Sequence, residues 1–212
     1  MTAGGRPYRS ALRDEQSRAT RRRIVDAGAA LFVESGYVPT TIDAIAERAG
    51  VSRRTVFTSV GAKAAVLKLA FDWTLAGDDD PVSIADRPEV QRMMQGQDPA
   101  ELLAAWMAMN AAINQRLATL HHVLVVAADA DPEAAALLAT TDDQRAEGAR
   151  DVVGRVADLG GLRPDLDPEQ AAAIADVLID PTLYQRLVGT WGWTFETYVE
   201  HLQRMAAVSL LA

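Results

Sequence analysis

The stretch TTIDAIAERAGVSRRTVFTSVGAK, Thr40 to Lys63, decides how this 212-residue chain is read. Thr40 and Thr41 offer hydroxyl N-caps, and Ile42, Ile45, Ala46 and Ala49 recur at helical spacing, which gives one apolar face to a helix of about two turns. Gly50 ends that helix, Val51 can drop into a core, and Ser52 is placed to cap the next helix. The second helix starts at Arg53 and has Val56 and Val60 for a buried face, leaving Arg53, Arg54, Thr55, Phe57 and Thr58 for something outside. Two short helices about a tight turn form a helix-turn-helix, in which the N-terminal residues of the second helix reach base edges in the major groove.

These residues carry a resemblance. Thr40-Thr41-Ile42, Ile45-Ala46, Ala49-Gly50-Val51-Ser52, Thr55-Val56-Phe57 and Gly61-x-Lys63 together resemble the N-terminal signature of the TetR family of transcriptional repressors. The resemblance implies an all-α chain with an N-terminal three-helix DNA-binding domain followed by a helical ligand-binding and dimerisation domain. It implies base contacts from Arg53 and Arg54, and contacts to DNA from Thr40, Thr41, Ser52, Thr55, Phe57, Thr58 and Lys63. Two positions depart from the pattern, Phe57 where the family has Tyr and Val60 where it has Phe.

Composition sets the outer limits. With 49% hydrophobic and 24% charged residues, the chain can build one good core or two small ones. It has no cysteine, so disulfides, thiolate catalysis and Cys-based zinc sites are excluded. The N-terminal residues lack the apolar core of a signal peptide, and no apolar run approaches a membrane span, so a cytoplasmic protein with no membrane partner is expected.

The net charge of −8 conceals a division along the chain. Residues 1–68 hold 12 Arg or Lys against 6 Asp or Glu, a surplus of +6, whereas residues 69–212 hold 9 against 23, a deficit of −14. Positive charge at one end suits counterion release from a phosphate backbone, and the acidic remainder would be repelled by it.

Taken in order, residues 1–16 read as a flexible arm with Gly4, Gly5, Pro7 and three arginines. A first amphipathic helix over 17–35 uses Ile24, Ala27, Leu31 and Phe32, so the DNA-reading domain is expected over 17–63 and the effector and dimerisation domain over 64–212. Asp78-Asp79-Asp80 before Pro81 reads as a solvated loop, not a metal site, and no metal or cofactor is expected.

A long helix opening at Asp98-Pro99 is apolar nearly all round, and Asn110, Asn114, His121 and His122 interrupt it with groups that need partners if buried. As core, such polar groups must be satisfied internally; as pocket, they meet a ligand. Because the resembled family keeps its effector pocket among central helices, Trp106, Asn110, Asn114 and His121 are the candidate ligand-binding set. Later helices follow Pro132 and Glu169, with a restart at Pro181 and a final helix capped by Thr194. The last two, with Leu202 in their apolar seam, resemble the helix pair by which the family forms homodimers.

The resemblance therefore implies a repressor, a homodimer through its last two helices, released from a palindromic operator in double-stranded DNA by a small-molecule effector of unknown identity. Two alternatives stand beside it. One is a TetR-like scaffold with lost or altered DNA binding, suggested by Phe57 and Val60; the other, a small helical enzyme, finds no nucleophile elbow, phosphate loop or metal-binding helix motif. An enzyme is not expected.

Overall fold

The computed structural model describes residues 6–212, and the first part of the expected arm, residues 1–5, lies outside the described residues. The described residues are helical: α1 (Arg6–Ser35), α2 (Ile42–Ala49), α3 (Arg53–Ser59), α4 (Lys63–Ala76), α5 (Pro88–Met94), α6 (Pro99–Ala128), α7 (Pro132–Asp158), α8 (Pro168–Leu178), α9 (Pro181–Tyr184) and α10 (Phe195–Leu210). A π-helical segment, Gln185–Thr190, continues α9. The all-α class is as expected. Two compact units divide the chain, a head of Met1–Asp72 with Val123–Ala135 and a body of Trp73–His122 with Ala136–Ala212. The division falls at Asp72 and not at Lys63, and the turn between α6 and α7 belongs to the head.

Local chemistry sets the head's short helices. The Thr41 hydroxyl accepts from Ala44 N at 3.1 Å to start α2, and Ser52 Oγ accepts from Thr55 N at 3.1 Å to start α3. Between them Gly50 takes φ 65°, the left-handed turn that lets Val51 N donate to Ala46 O at 2.9 Å. Ile24, Phe32, Ile45, Val56, Val66 and Leu67 are all completely buried, so α1, α2, α3 and α4 each give a stripe to one core. A Cβ at Gly28 of α1 would lie 2.4 Å from Val66 Cγ1 of α4, so these two helices approach as closely as a bare α-carbon permits.

Helix α1 begins well before Ser17, where the sequence pattern placed its start. From Arg13 to Arg23 this extension has no buried residue, so periodicity had nothing to register there.

The body's core is built from α6, α7, α8 and α10 around Leu103, Met107, Val152, Val156, Ala175, Tyr198, Leu202 and Leu210. Small residues Ala111, Ala149, Ala171 and Ala206, all at 0% exposure, let the helix backbones close up. Asp180 Oδ1 accepts from Thr182 N at 2.7 Å and restarts the chain at Pro181, as the proline predicts. In the loop after α4, Arg87 grips Asp78 through both guanidinium nitrogens at 2.7 and 2.8 Å, which holds that carboxyl down to about 2. The Leu202 side chain is wholly inside this core, not in a seam open to a second chain. Among the described residues no helix is long and apolar enough to cross a membrane.

The packing of Gly28 on Val66 gives a direct test. Gly28→Ala should destabilise the head by about 1–3 kcal/mol through overpacking, and adding Val66→Ala should recover part of that loss, as read from urea melts followed by circular dichroism. Equal stability of Gly28→Ala and wild type would show that α1 and α4 are further apart.

Candidate nucleic-acid interface

One face of α3 is packed and the other open. Val56 is fully buried, Thr55 and Val60 are half-buried, and Arg53, Arg54, Phe57 and Thr58 are exposed. Arg53 is already engaged: its Nη1 donates to Asp43 Oδ2 at 2.7 Å, and its guanidinium lies 5.6 Å from the centre of the Phe57 ring. At 44% exposure Phe57 stands outside the core, so a residue packed in the interior is not what replaced the expected tyrosine. Thr58 Oγ1 turns back onto its own helix, donating to Arg54 O at 3.1 Å. Ser52 Oγ shares a hydrogen with Thr55 Oγ1 at 2.8 Å, so both hydroxyls already serve the helix start.

Thr40 is turned inward. It is buried, and its hydroxyl donates to Gly36 O at 2.7 Å, closing the loop after α1 and leaving no donor for a phosphate. Thr41 alone caps α2 and is exposed.

Lys63 sits where it can serve two roles. Its Nζ donates to Tyr37 O at 3.0 Å and lies 4.1 Å from the centre of the Tyr37 ring. Tyr37 is not among the residues that the sequence singles out. Its ring packs at 5.4 Å on Phe32, and its hydroxyl donates to Asp131 Oδ2 at 2.5 Å, 94 residues along the chain. That bond, more than any other influence, holds the Asp131 carboxyl below the ordinary carboxylate range, while burial first and Asp131 second push the Tyr37 phenol up. No local pattern could pair a loop tyrosine with an aspartate so distant.

The four body candidates do not form one array. Trp106, 5% exposed, packs in the core beside Leu102 and Met107. Asn110 donates to Trp106 O at 2.9 Å within its own helix. Asn114 is buried and donates to Ile179 O at 2.9 Å, filling a carbonyl at the end of α8. His121 is buried with Asp180, Arg145 and Asp142 in its surroundings, and burial first of all lowers its basicity. Arg145 there is embraced by Asp142 and Asp176, each at 2.8 Å, and by Asp180 at 3.5 Å. The Tyr198 hydroxyl, fully buried beside Asn114, is pushed up to about 12, chiefly by desolvation. Asn114 and His121 thus belong to a polar interior, and Trp106 and Asn110 to the packing of α6. A surface hollow of about 300 Å³ on the head, lined by Arg23, Asp26, Ala27, Arg48 and Ala49, includes none of the candidates.

Residues 24–70, which span the later part of α1 to the middle of α4, match the model of bacterial regulatory proteins, tetR family. Over these residues the head is similar to tetR-family proteins. An uncharacterized HTH-type transcriptional regulator of Pseudomonas putida, TtgW, is 33% identical over 75 residues, 35% of this chain and 53% of that protein. The match therefore spans about half the length of this curated relative. Solved structures extend the likeness of fold over nearly the whole chain. A transcriptional regulator from Saccharomonospora viridis, crystallised with choline, superposes with a TM-score of 0.68 at 19% identity, covering 91% of this chain and 97% of that one. NalD, the secondary repressor of the MexAB-OprM multidrug efflux pump in Pseudomonas aeruginosa, superposes with a TM-score of 0.69 at 21% identity over 92% and 98%. At these identities they show a shared fold that extends through the body.

The Tyr37–Asp131 bond should be measurable. Tyr37→Phe keeps the ring and removes the donor to a carboxylate, and should cost about 1–2 kcal/mol at neutral pH once partial exposure is allowed for. A carboxyl with a depressed folded pKa contributes stability that is complete above its unfolded value and lost as pH falls through its folded value. The gap between wild type and Tyr37→Phe in urea melts should therefore close as pH is lowered from about 4, the ordinary aspartate value, downward. A gap unchanged across that window would assign the loss to packing.

Proposed function

We propose that the chain is a transcriptional repressor that binds a palindromic operator as a homodimer and is released by a small-molecule effector. One observation carries the reading: in a tetR-family head, α3 is anchored by buried Val56 and presents Arg53, Arg54, Phe57 and Thr58 outward. A capped helix that exposes arginines at its first turn is the arrangement by which a recognition helix reads guanine edges. Thr41 and Lys63 are the flanking candidates for phosphate contact. Lys63 would have to leave, or share, the Tyr37 carbonyl to reach one.

The two arginines should not be equal. Arg53 must give up Asp43 to meet DNA, whereas Arg54 has no such ion pair among the described residues, so Arg54 is the stronger candidate for direct readout. In fluorescence anisotropy with the duplex upstream of the coding region and a scrambled duplex, Arg54→Ala should weaken only the former, by about 1–3 kcal/mol for a bidentate guanine contact. Equal weakening on both would make Arg54 a phosphate contact, and no preference by the wild type for the upstream duplex would favour the altered scaffold.

Support for a homodimer comes from what the body leaves uncovered. Val177 of α8, Trp191 after the π-helical segment and Val208 of α10 are 65, 69 and 71% exposed, and Met205 of α10 is exposed as well. Large apolar side chains gathered on the last helices suit a partner's equivalent face. Val208→Glu should shift sedimentation from dimer toward the 22.8 kDa chain mass while the fold persists. Leu202, being interior, would report unfolding instead.

The effector reading rests on the body's fold and on its polar interior at Asn114, His121 and Tyr198. The Saccharomonospora viridis relative was crystallised with choline, and a body of the same fold here would take its own small molecule. Such a ligand can release DNA only to the extent that it binds the released state more tightly.

A further inference from the structure

The outer surface of the head carries a carboxylate at the place where a duplex calls for cations. Asp43, in the first turn of α2, accepts from Arg53 Nη1 of α3 at 2.7 Å, and the two side chains are 65 and 60% exposed, so the pair belongs to the surface and not to the core. On α3 itself, the Phe57 ring centre lies 5.6 Å from the same guanidinium. Arg53 is therefore held from two helices. Of the three basic side chains on α2 and α3, Arg48 is gripped in the same way, donating to both oxygens of Glu34 at 2.5 and 2.7 Å, and only Arg54 has no ion pair among the described residues. An acidic residue in a first turn suits the helix dipole, but α2 already has its Thr41 cap, and the dipole asks nothing of Arg53.

We propose that Asp43 acts against non-specific binding by withholding Arg53 from the phosphate backbone of double-stranded DNA. The inference rests on the reading that the head binds DNA. A phosphate contact by Arg53 exchanges one anion for another, so the counterion released from the duplex is offset by one that the abandoned Asp43 gathers. The exposed pair is itself weak; the deterrent is the carboxylate left behind, facing phosphates of its own sign. Phosphate oxygens only accept hydrogen bonds and give a released Asp43 no donor, whereas base edges in the major groove do, through the amino groups of cytosine and adenine. Asp43 thus opposes contact along the backbone more than contact with bases. It is a positioning residue that acts through Arg53.

The test uses the full chain and a random-sequence duplex, so it needs no operator. The slope of log affinity against log salt is compared for the wild type, Asp43→Asn, Arg53→Gln, the double variant and Glu47→Gln, which removes an exposed charge of α2 that has no ion pair among the described residues. Freed of Asp43, Arg53 should neutralise one more phosphate, so Asp43→Asn should tighten binding and steepen the slope by about 0.9. With Arg53→Gln already present the same change should leave the slope nearly unchanged, and Glu47→Gln should keep the wild-type slope. Circular dichroism checks that each variant is as helical as the wild type, and Asp43→Ser repeats the measurement with a second neutral side chain suited to a helix start. An unaltered slope in Asp43→Asn and Asp43→Ser, with wild-type binding intact, overturns the proposal and leaves the head reading in place. Equal steepening by Glu47→Gln, or by Asp43→Asn in the Arg53→Gln background, also overturns it, since the effect would then follow the loss of a negative charge and not the release of Arg53. No binding by the wild type and Asp43→Asn alike at about 50 mM salt would refute the DNA reading of the head, and this proposal with it.

Discussion

Tyr37 is the constraint on which the head depends. Its ring packs on Phe32, its carbonyl accepts from Lys63 at the start of α4, and its hydroxyl donates to Asp131 at the turn between α6 and α7. One buried side chain in the loop after α1 thus ties together pieces of chain separated by 26 and 94 residues. A phenol bonded to an ionised carboxylate is a charge-assisted bond, stronger than a neutral one, and leaving either partner alone in a half-buried place would cost its desolvation. The bond joins the segment Val123–Ala135 to the rest of the head.

The proposed DNA surface follows from what this packing leaves over. Val56 and the caps at Thr41 and Ser52 fix α2 and α3 from one side, and the exposed residues of α3 are those that the core does not claim. Several polar groups in the region are nonetheless committed internally: Thr40 to Gly36, Arg53 to Asp43, and Lys63 to Tyr37. The exposed ion pair of Arg53 is easily exchanged for a base or a phosphate, because surface pairs contribute little. The buried hydroxyl of Thr40 is not, because its acceptor would be left unsatisfied.

In the body the same accounting separates packing from polarity. Trp106 and the alanines of α6, α7, α8 and α10 make a close-packed interior, while Asn114, His121 and Tyr198 place polar atoms inside it. The bond from Asn114 to the Ile179 carbonyl offsets the burial of its amide. Charge at Arg145 is balanced by three aspartates from α7 and from the end of α8 onward, so the neighbourhood of His121 is acidic on balance.

Sequence alone determined the helical class, the two short helices with their caps, the turn at Gly50, the restart at Pro181 and the basic end of the chain. Each is set by neighbours within a few residues, through hydroxyl caps, a left-handed glycine, a fixed proline φ or 3.6-residue periodicity. Tertiary structure decided the rest. Leu202 and Val208 lie six residues apart on one apolar-looking helix, yet only the packing of α10 on α6 and α8 shows that the first is core and the second exposed. Thr40 and Thr41 look alike as caps until the fold buries one of them. Tyr37 and Asp131 carry no local signal at all, and the stretch of α1 from Arg13 to Arg23, with no buried residue, carries none of the apolar periodicity by which helices are found. Burial and long-range pairing are properties of the folded chain, because what a side chain touches depends on residues that the local sequence does not contain.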